Sequence, residues 1–408
     1  MQILNAKLYI PPPRPNLVAR PKLIAQLDEG LRLGCKLSLV CAPAGFGKTT
    51  LVSAWVHDLR QRVPVAWLSI DEEDNDSQRF AVYVVAALRT LLSASDAENF
   101  GAHFLTEIHT PHHISGDVMA QVREQVAILL NDIAALPEKF VLVLDDYYLL
   151  NDPRIEQGMV FLLAHQPPQM HLVITSRTTP SLPLARLRAR AQLTELNADN
   201  LRFTPDEANL FFDQTMGLAL SSEHITQLEM RTEGWAAGLQ MAALSMQGVA
   251  DKASFIQTFA GDDHYILDYL LEEVLRRQPE AVQDFMLRTS VLERMCGPLC
   301  DAILGMGARE LGSKGDISSP LPPVPVSQTT LEYLERANLF IVPLDNKHQW
   351  YRYHHLFGEL LRHRLEQKMG EAAVMALHQA AAAWYLHHTW QAEAIAHLLR
   401  AQDFERAA

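Results

Sequence analysis

Short apolar runs alternate with amphipathic segments along the first half of the chain. The apolar runs lie at 37–41, 63–70, 140–145, 171–175 and 192–196. Between them, apolar residues recur at a spacing of three or four, which predicts helices over 22–33, 77–92, 118–135 and 156–165. Because uninterrupted apolar runs are typical of strands buried on both faces, this order predicts an α/β domain with a five-stranded parallel sheet.

The second half of the chain is almost wholly helical in pattern. Thr204 as N-cap, Pro205 as first helical residue and Glu207 at the third helical position predict a helix start. Further helices are predicted over 222–232, 234–245, 255–275, 279–287 and 329–337. The pattern therefore predicts an all-α domain after the sheet.

Two apolar runs, 339–344 and 350–353, flank a polar turn and predict a β-hairpin. A hairpin after a small helical unit suggests a winged helix, and a helix to about 367 follows it. Residues 371–408 predict two Ala-rich helices in a hairpin, typical of the first repeat of an α-solenoid. Because a solenoid needs about three repeats, we expect further repeats or a cap beyond these residues.

Several segments predict irregular structure. Residues 1–20 are predicted to form an N-terminal arm, in which the prolines make 11–15 extended, and the polar stretch 93–115 is predicted to be a loop. The acidic run 71–76 is either a solvated loop or a rim beside the crevice at the strand ends. Residues of about 312–327 are rich in Pro, Ser and Gly, which predicts a disordered insertion.

Composition narrows the class of protein. The chain has 408 residues, 48% hydrophobic and 20% charged, so we expect a globular protein of about two to four domains. Its net charge of −13 argues against a large basic face for nucleic acid, but not against a nucleotide. The absence of a signal peptide and of an apolar run near about 20 residues predicts a cytoplasmic protein with no membrane partner.

The four cysteines fit a reducing compartment, because they are too few to crosslink a fold of this size. Cys296 and Cys300 are four residues apart without a matching His or Cys cluster nearby. Buried thiols are therefore the preferred interpretation over a zinc site.

The most specific motif follows the first predicted strand. It is a glycine-containing loop that leads into a helix, and its residues are Gly45, Phe46, Gly47, Lys48, Thr49 and Thr50. Strand, loop and helix in this order are the context of a phosphate-binding P-loop; a chance glycine-rich turn is the alternative. Backbone N–H groups and the helix N-terminus favour an anion there, Lys48 is placed for the β- and γ-phosphates, and Thr49 for Mg²⁺. Ala42 replaces the usual first glycine, where we expect a small residue to suffice.

The third predicted strand ends in two carboxylates, Asp145 and Asp146. With a P-loop upstream, Asp145 is expected to reach the magnesium ion directly or through water. Asp146 is a candidate to polarise an attacking water. The alternative is a strand that simply ends in a polar turn.

Two arginines are further candidates. Arg177 follows the fourth strand, where P-loop ATPases place a γ-phosphate sensor, with Thr175 or Ser176 in support. An arginine that only covers a strand end in solvent is the alternative. Arg20 ends the arm and is a candidate contact for the nucleotide base, although its spacing fits a plain surface arginine equally well.

Taken together, these motifs resemble the MalT-like, LuxR-type branch of the STAND signal-transduction ATPases. The matching segments run in order along nearly the whole chain: 18–20, 44–51, 67–71 with Asn75 and 79–80, 144–147, 175–177, 201–203 with 207–208, 234–239 and 353–357. The combination is far more specific than any single motif.

The resemblance implies an ASCE/AAA-like P-loop NTPase followed by helical, winged-helix and α-solenoid parts. The boundaries predicted here are 1–20 for the arm, 21–200 for the nucleotide-binding domain, 201–288 for the helical domain, 289–368 for the winged helix and 369–408 for the beginning of the repeats. In this family, a helical-repeat sensor and a DNA-binding helix-turn-helix domain follow. Neither is in this chain, so DNA is expected only through a domain outside it.

The resemblance also implies a mechanism. A resting monomer holds ADP between the nucleotide domain and the winged helix; an unknown inducer on the sensor opens it, ATP replaces ADP, the protein forms homo-oligomers, and slow hydrolysis resets it. His354 matches the winged-helix histidine that touches the ADP phosphates. Residues 234–239 match the segment next to the base, although its frequent middle proline is alanine here.

The main hypothesis is therefore an ADP/ATP-binding STAND switch that uses Mg²⁺ and controls transcription. A defence or scaffold protein of the same superfamily is one alternative, and a metabolic P-loop ATPase or kinase is another. The gene beyond residue 408 discriminates between the first two, because a helix-turn-helix supports the regulator and an effector domain supports the defence protein.

Overall fold

The computed structural model describes residues 2–13, 16–109, 118–247, 249, 251–259, 264–305 and 326–407. The chain divides into two compact units, Met1–Arg202 and Phe203–Ala408. Each unit is considered by itself below.

The first unit is built on one parallel sheet. Its strands are β1 (Leu37–Cys41), β2 (Val65–Ser69), β3 (Phe140–Asp145), β4 (Met170–Ser176) and β5 (Leu193–Leu196). They lie in the order β2-β3-β4-β1-β5, and every neighbouring pair is parallel. The predicted five-stranded parallel sheet is confirmed, and its strands read as apolar runs because β3 and β4 are buried at every position.

The helices of the first unit alternate with these strands along the chain and cover both faces of the sheet. They are α1 (Pro21–Arg32), α2 (Lys48–Leu59), α3 (Ser77–Arg89), α4 (Ala94–Asn99), α5 (Ala102–His109), α6 (Val118–Ala134), α7 (Pro153–His165), α8 (Leu184–Ala189) and α9 (Ala198–Leu201). Short 3₁₀ turns lie at Asn5–Leu8, Glu72–Asp74 and Tyr147–Leu149.

The loop predicted over 93–115 is wrong for most of its length, because α4 and α5 occupy 94–99 and 102–109. The Ser93 hydroxyl accepts from the Asp96 N–H and begins α4. Phe104 and Ile108, one helical turn apart, are buried. The polar residues around this short apolar stripe concealed the helical spacing, and residues 110–115 lie outside the described ranges.

The acidic run after β2 is not uniformly solvated. Asp74 is fully buried and accepts hydrogen bonds from Lys7 and from Arg79 Nε, the latter at 3.2 Å. Lys7 Nζ also lies 2.8 Å from Asp71 Oδ2. A buried carboxylate requires such partners because its isolated charge is costly. The N-terminal arm is therefore anchored to the loop after β2, which sequence spacing did not indicate.

The second unit is mainly helical. Its helices are α10 (Pro205–Leu210), α11 (Ser222–Thr232), α12 (Ala236–Ser245), α13 (Lys252–Thr258), α14 (His264–Leu270), α15 (Glu280–Thr289), α16 (Gly297–Leu304), α17 (Val326–Arg336), α18 (His355–Met369), α19 (Glu371–His387), α20 (Gln391–Arg400) and α21 (Phe404–Ala407). Five-residue π turns lie at Phe211–Thr215 and Leu271–Leu275.

Local signals predicted much of this unit. The Thr204 and Glu207 side chains form a reciprocal capping box at the start of α10, as their spacing predicts. The predicted helix over 255–275 is divided between α13, α14 and a π turn, and residues 260–263 lie outside the described ranges. Helix α16 was not predicted. Its Cys300 and the preceding Cys296 are buried thiols, and burial raises the pKa of both.

The predicted hairpin is present. Strands β6 (Ile341–Pro343) and β7 (Tyr351–Tyr353) pair antiparallel, and Met295 exchanges backbone hydrogen bonds of 2.8 and 2.9 Å with Tyr351. Helix α18 follows β7 directly. Most of the insertion predicted over 312–327 lies outside the described residues, and the helix predicted to begin at 329 begins at 326.

Within the described ranges, no helix combines the length and the apolar character that a membrane span requires.

A buried histidine makes the first unit sensitive to acid. His171 on β4 is 4% exposed; its Nδ1 lies 2.7 Å from the Cys35 carbonyl oxygen and its Nε2 lies 3.0 Å from Ser38 Oγ. Burial lowers its pKa to about 4. Below about pH 6.5 an unfolded histidine binds a proton that the folded one does not, so the free energy of unfolding falls as pH falls from about 6.5 to 4.

We therefore expect His171→Asn to reduce this pH dependence by up to about 1.4 kcal/mol per pH unit, since the amide can donate to Cys35 but does not titrate. Urea unfolding of both proteins between pH 7 and 4.5 measures the slopes. The exposed His103→Asn should keep the wild-type slope. Equal slopes for wild type and His171→Asn would contradict this role.

Candidate nucleotide-binding site

The loop between β1 and α2 has the backbone that the P-loop prediction requires. Gly45 and Gly47 have φ of 76° and 78°, a left-handed region that strains residues with a side chain. Ala42 does not have a positive φ and is fully buried. The backbone therefore requires glycine at positions 45 and 47 but not at position 42, which explains how Ala42 is tolerated.

Lys48 is the first residue of α2, and its side chain lies inside the loop. It is 6% exposed, and its Nζ donates 2.9 Å hydrogen bonds to the carbonyls of Ala42 and Pro43. Burial, and next the charge of Arg177, lower its pKa to about 8, while the charge of Asp146 opposes this shift. The ammonium group is therefore mainly protonated at neutral pH, and its charge is placed for a phosphate.

Asp145, Thr49 and Thr175 form the centre of the site. Asp145 Oδ1 accepts a 2.9 Å hydrogen bond from Thr49 Oγ1 and a 2.5 Å hydrogen bond from Thr175 Oγ1. Burial, and next the charge of Asp146, raise the pKa of Asp145 to about 6, and the two hydroxyl donors act in the opposite direction. The two predicted magnesium ligands thus lie side by side.

This donor set fits Mg²⁺. A carboxylate and a hydroxyl are the oxygen ligands it prefers, and at nucleotide sites it takes one or two from the protein and the rest from phosphates and water. No cluster of three or more His, Cys, Asp or Glu that could hold a metal is found among the described residues.

Asp146 has a left-handed backbone, with φ of 60° and ψ of 39°. Its N–H donates a 3.0 Å hydrogen bond to Thr175 Oγ1, which holds this unusual conformation for a residue that is not glycine. Its negative charge acts on the pKa of both Lys48 and Asp145. Asp146 therefore lies at the same end of the sheet as the P-loop.

Arg177 follows β4, with its guanidinium carbon 4.9 Å from the centre of the Tyr148 ring. It is half-buried, and its charge lowers the pKa of Lys48. The structure thus brings Arg177 into the neighbourhood of Lys48, Asp145 and Asp146. Among the other loop residues, Phe46 is buried and Thr49 and Thr50 are half-buried.

Arg20 contacts the backbone at the end of α9. Its guanidinium donates hydrogen bonds of 3.0, 3.0 and 2.9 Å to the carbonyls of Leu201, Asn200 and Arg202, at the carboxyl end of α9. Such contacts suit a helix C-terminus, where carbonyls lack intrahelical partners. A contact between Arg20 and a nucleotide base stays a prediction.

His354 lies in the second unit, between β7 and α18. It is 2% exposed, and its Nε2 lies 2.9 Å from the Thr232 carbonyl oxygen, an acceptor to which it must donate. Its ring packs edge-on against Trp235 and Phe340. Its predicted contact with ADP phosphates stays a prediction.

Sequence reasoning undervalued Thr175 and missed Glu233 and Arg352. Thr175 was a supporting residue, yet its hydroxyl contacts both Asp145 and Asp146. The signal was its position at the end of β4, beside the acidic end of β3. Glu233 and Arg352 form a bidentate ion pair across 119 residues, for which the local sequence carries no signal.

Comparison with known proteins agrees with this geometry. Residues 16–175 match the AAA ATPase domain family, and residues 271–373 match the MalT winged helix domain family. The first match contains the P-loop and reaches the end of β4, and the second contains the hairpin and His354.

The chain is 32% identical over 409 aligned residues to the HTH-type transcriptional regulator MalT of Cronobacter sakazakii and to that of Klebsiella pneumoniae. The alignments cover 98% of this chain and 41% of each relative, so the chain spans less than half of their length. Among solved structures, the Walker-type ATPase paby2304 of Pyrococcus abyssi is similar in fold, with a TM-score of 0.50 and 16% identity, covering 86% of this chain and 98% of that one. The resemblance predicted from the motifs is confirmed.

Replacing the Thr175 hydroxyl should weaken the site without changing its shape. We expect Thr175→Val to lower the free energy of unfolding by about 1–3 kcal/mol, because the partly buried Asp146 N–H loses its acceptor and the buried Asp145 loses a donor. Thr175→Ser keeps both hydrogen bonds and should stay much closer to wild type. Chemical denaturation of the three proteins measures this, and equal losses for Val and Ser would contradict the role of the hydroxyl.

Proposed function

We propose that this chain, a MalT-like protein with an AAA ATPase domain and a MalT winged helix domain, is the nucleotide-dependent switch of a transcriptional regulator. The observation that carries the proposal is the convergence of Lys48, Thr49 and Asp145 at the loop between β1 and α2. A buried cation beside an oxygen-rich metal site suits a nucleoside di- or triphosphate with Mg²⁺.

Each residue of the site has a proposed role. Gly45, Phe46, Gly47 and Thr50 shape the loop whose N–H groups hold phosphate oxygens, and Lys48 contacts the β- and γ-phosphates. Thr49 and Asp145 would hold a magnesium ion, which would neutralise phosphate charge when bound. Asp146 polarises the attacking water and Arg177 senses the γ-phosphate.

The site is proposed to serve a STAND-type cycle rather than rapid turnover. ADP is bound at rest by a monomer, ATP favours an open state that forms homo-oligomers, and slow hydrolysis restores the resting state. An inducer acts through a sensor domain, and DNA is bound by a further domain, in the part of the relatives that this chain does not cover. A cytoplasmic location belongs to the same proposal.

Isothermal titration with ADP and with ATP in the presence of Mg²⁺ tests nucleotide binding. We expect the wild type to bind both and Lys48→Ala to lose at least about tenfold in affinity, since it loses the cation that faces the phosphates. Lys22→Ala, which removes an exposed lysine of α1, is the matched control. Absence of binding by the wild type, or equal binding by Lys48→Ala, would refute the proposal.

Turnover of ATP in the same samples separates a switch from a metabolic enzyme. A switch must persist in each state, so we expect a rate well below the enzyme median of about 10 per second. A rate near that median would favour a metabolic ATPase or kinase.

His354→Ala should weaken ADP binding more than ATP binding, because His354 is proposed to contact the phosphates of ADP in the resting state. Titration of the variant with each nucleotide gives the two ratios. The outcome against this role is an ADP affinity equal to that of the wild type.

A further inference from the structure

A cavity of about 790 Å³ lies within the second unit, where α18, α19 and the end of α20 meet the segment after α15. Helix α18 contributes Arg362 and Glu366, which are one helical turn apart. Helix α19 contributes four residues at a spacing of three or four, which places them on one face: Glu371, Val374, Met375 and His378. The cavity is therefore lined by regular helix faces that carry charges of both signs.

Arg362 has most of its hydrogen-bond donors unused. Its Nη1 donates a 3.2 Å hydrogen bond to the Ser290 carbonyl, and no carboxylate of the described residues lies within ion-pair distance of its guanidinium group. The side chain is exposed to the cavity, yet enough protein surrounds it for burial to lower its pKa, and the charge of Arg400 acts in the same direction. Because a guanidinium group carries five N–H donors, Arg362 can still bind an anionic group.

Glu366 is the matching anion without an ion pair. No cation of the described residues lies within ion-pair distance of its carboxylate, although Arg362 precedes it by one turn. Arg362 instead contacts Ser290, which lies outside α18. An arginine before a glutamate is also the weaker order for a pair at this spacing. An unpaired cation and an unpaired anion thus line one cavity, about 5–6 Å apart at their Cβ atoms.

The charges of the lining favour a ligand that carries both signs. The described lining includes two arginines and three glutamates, and Arg400 already pairs with Glu293 at 2.5 Å. A purely anionic ligand would meet more carboxylates than guanidinium groups, and a purely cationic one would leave Arg362 without a counter-ion. A zwitterion satisfies Arg362 and Glu366 together.

The uncharged part of the lining favours a ligand with an apolar body. Val374 and Met375 are half-buried on α19. His378 is buried, and its Nδ1 lies 2.8 Å from His397 Nδ1. Burial, and next the charge of Arg400, lower the pKa of His378 to about 4, so its ring adds no charge to the cavity at neutral pH.

We propose that this cavity binds a small zwitterion of the dipeptide class, with Arg362 on its carboxylate, Glu366 on its ammonium group and its side chains against Val374 and Met375. Two residues span at most about 7 Å, which suits charges that are held one helical turn apart. The site goes beyond the proposed nucleotide switch, because it lies wholly in the second unit and needs no nucleotide.

Three forms of one dipeptide test the two charges separately. Alanyl-leucine carries both charges, its N-acetyl form carries only the carboxylate, and its C-terminal amide carries only the ammonium group. Isothermal titration of the full chain without nucleotide gives the three dissociation constants. We expect saturable binding of alanyl-leucine and at least about tenfold weaker binding of each blocked form, because each loses one charge-assisted contact.

Two variants should each remove one of these preferences. In Arg362→Gln, alanyl-leucine and its amide should bind with nearly equal affinity, because the contact with the carboxylate is lost. In Glu366→Gln, alanyl-leucine and its N-acetyl form should bind with nearly equal affinity, because the contact with the ammonium group is lost. Arg276→Gln and Glu280→Gln are the matched controls. They change exposed residues of the same unit outside the cavity and should keep both preferences.

The ¹H–¹⁵N signals of the histidine rings locate the binding. Those of His378 should shift when alanyl-leucine is added, and those of His171 in the first unit should not. Absence of saturable binding, equal binding of the three forms by the wild type, or an unchanged His378 signal overturns the proposal. Proportional weakening of all three forms in both variants also overturns it, because that indicates a merely structural role. If one variant does not fold, the other decides. Since no nucleotide is present, a failure here is separate from a failure of the proposed switch.

Discussion

The hydrogen bonds from Thr49 and Thr175 to one oxygen of Asp145 are the contact on which the first unit's site depends. They exist because β1, β3 and β4 are parallel and their carboxyl ends meet at one edge of the sheet. Leu144 pairs with Ile174 across β3 and β4, so the next residue of each strand, Asp145 and Thr175, are neighbours. The helix that begins directly after the loop at the end of β1 then brings Thr49 to the same carboxylate. A change in the register of any of these strands would separate the three groups.

The site also contains ionisable side chains whose charged forms are destabilised by burial. Burial lowers the pKa of Lys48 and raises that of Asp145, so each is destabilised in its ionised form, and backbone carbonyls or hydroxyls are its direct hydrogen-bond partners. Such partners stabilise a charge without neutralising it. The positive charge of Lys48 therefore stays available to a phosphate, and the negative charge of Asp145 stays available to a divalent cation. This is the physical reason that the geometry suits a nucleotide.

In the second unit, an ion pair and a hydrogen bond between residues distant in the chain determine the local arrangement. The α11–α12 turn and the end of the hairpin are joined by the Glu233–Arg352 pair and by the hydrogen bond from His354 to Thr232. The pair is nearly enclosed by protein on the glutamate side, where removal of one partner would leave a poorly compensated charge. The position of His354 is thus a consequence of tertiary contacts on both sides of it, and not of the hairpin alone.

The sequence by itself determined the features that depend on residues close together in the chain. The five apolar runs became the five strands, the Thr204–Glu207 spacing became a capping box, and Gly45 and Gly47 took the left-handed backbone that their place in the loop predicts. Only the tertiary structure decided the burial of Asp74 against Lys7, the double role of Thr175 and the pairing of Glu233 with Arg352. The physical reason is separation along the chain. Helix and strand patterns depend on residues that are close together in the chain. A buried charge is instead stabilised by whichever partner the fold brings to it, and that partner is 67 residues away for Asp74 and 119 residues away for Glu233.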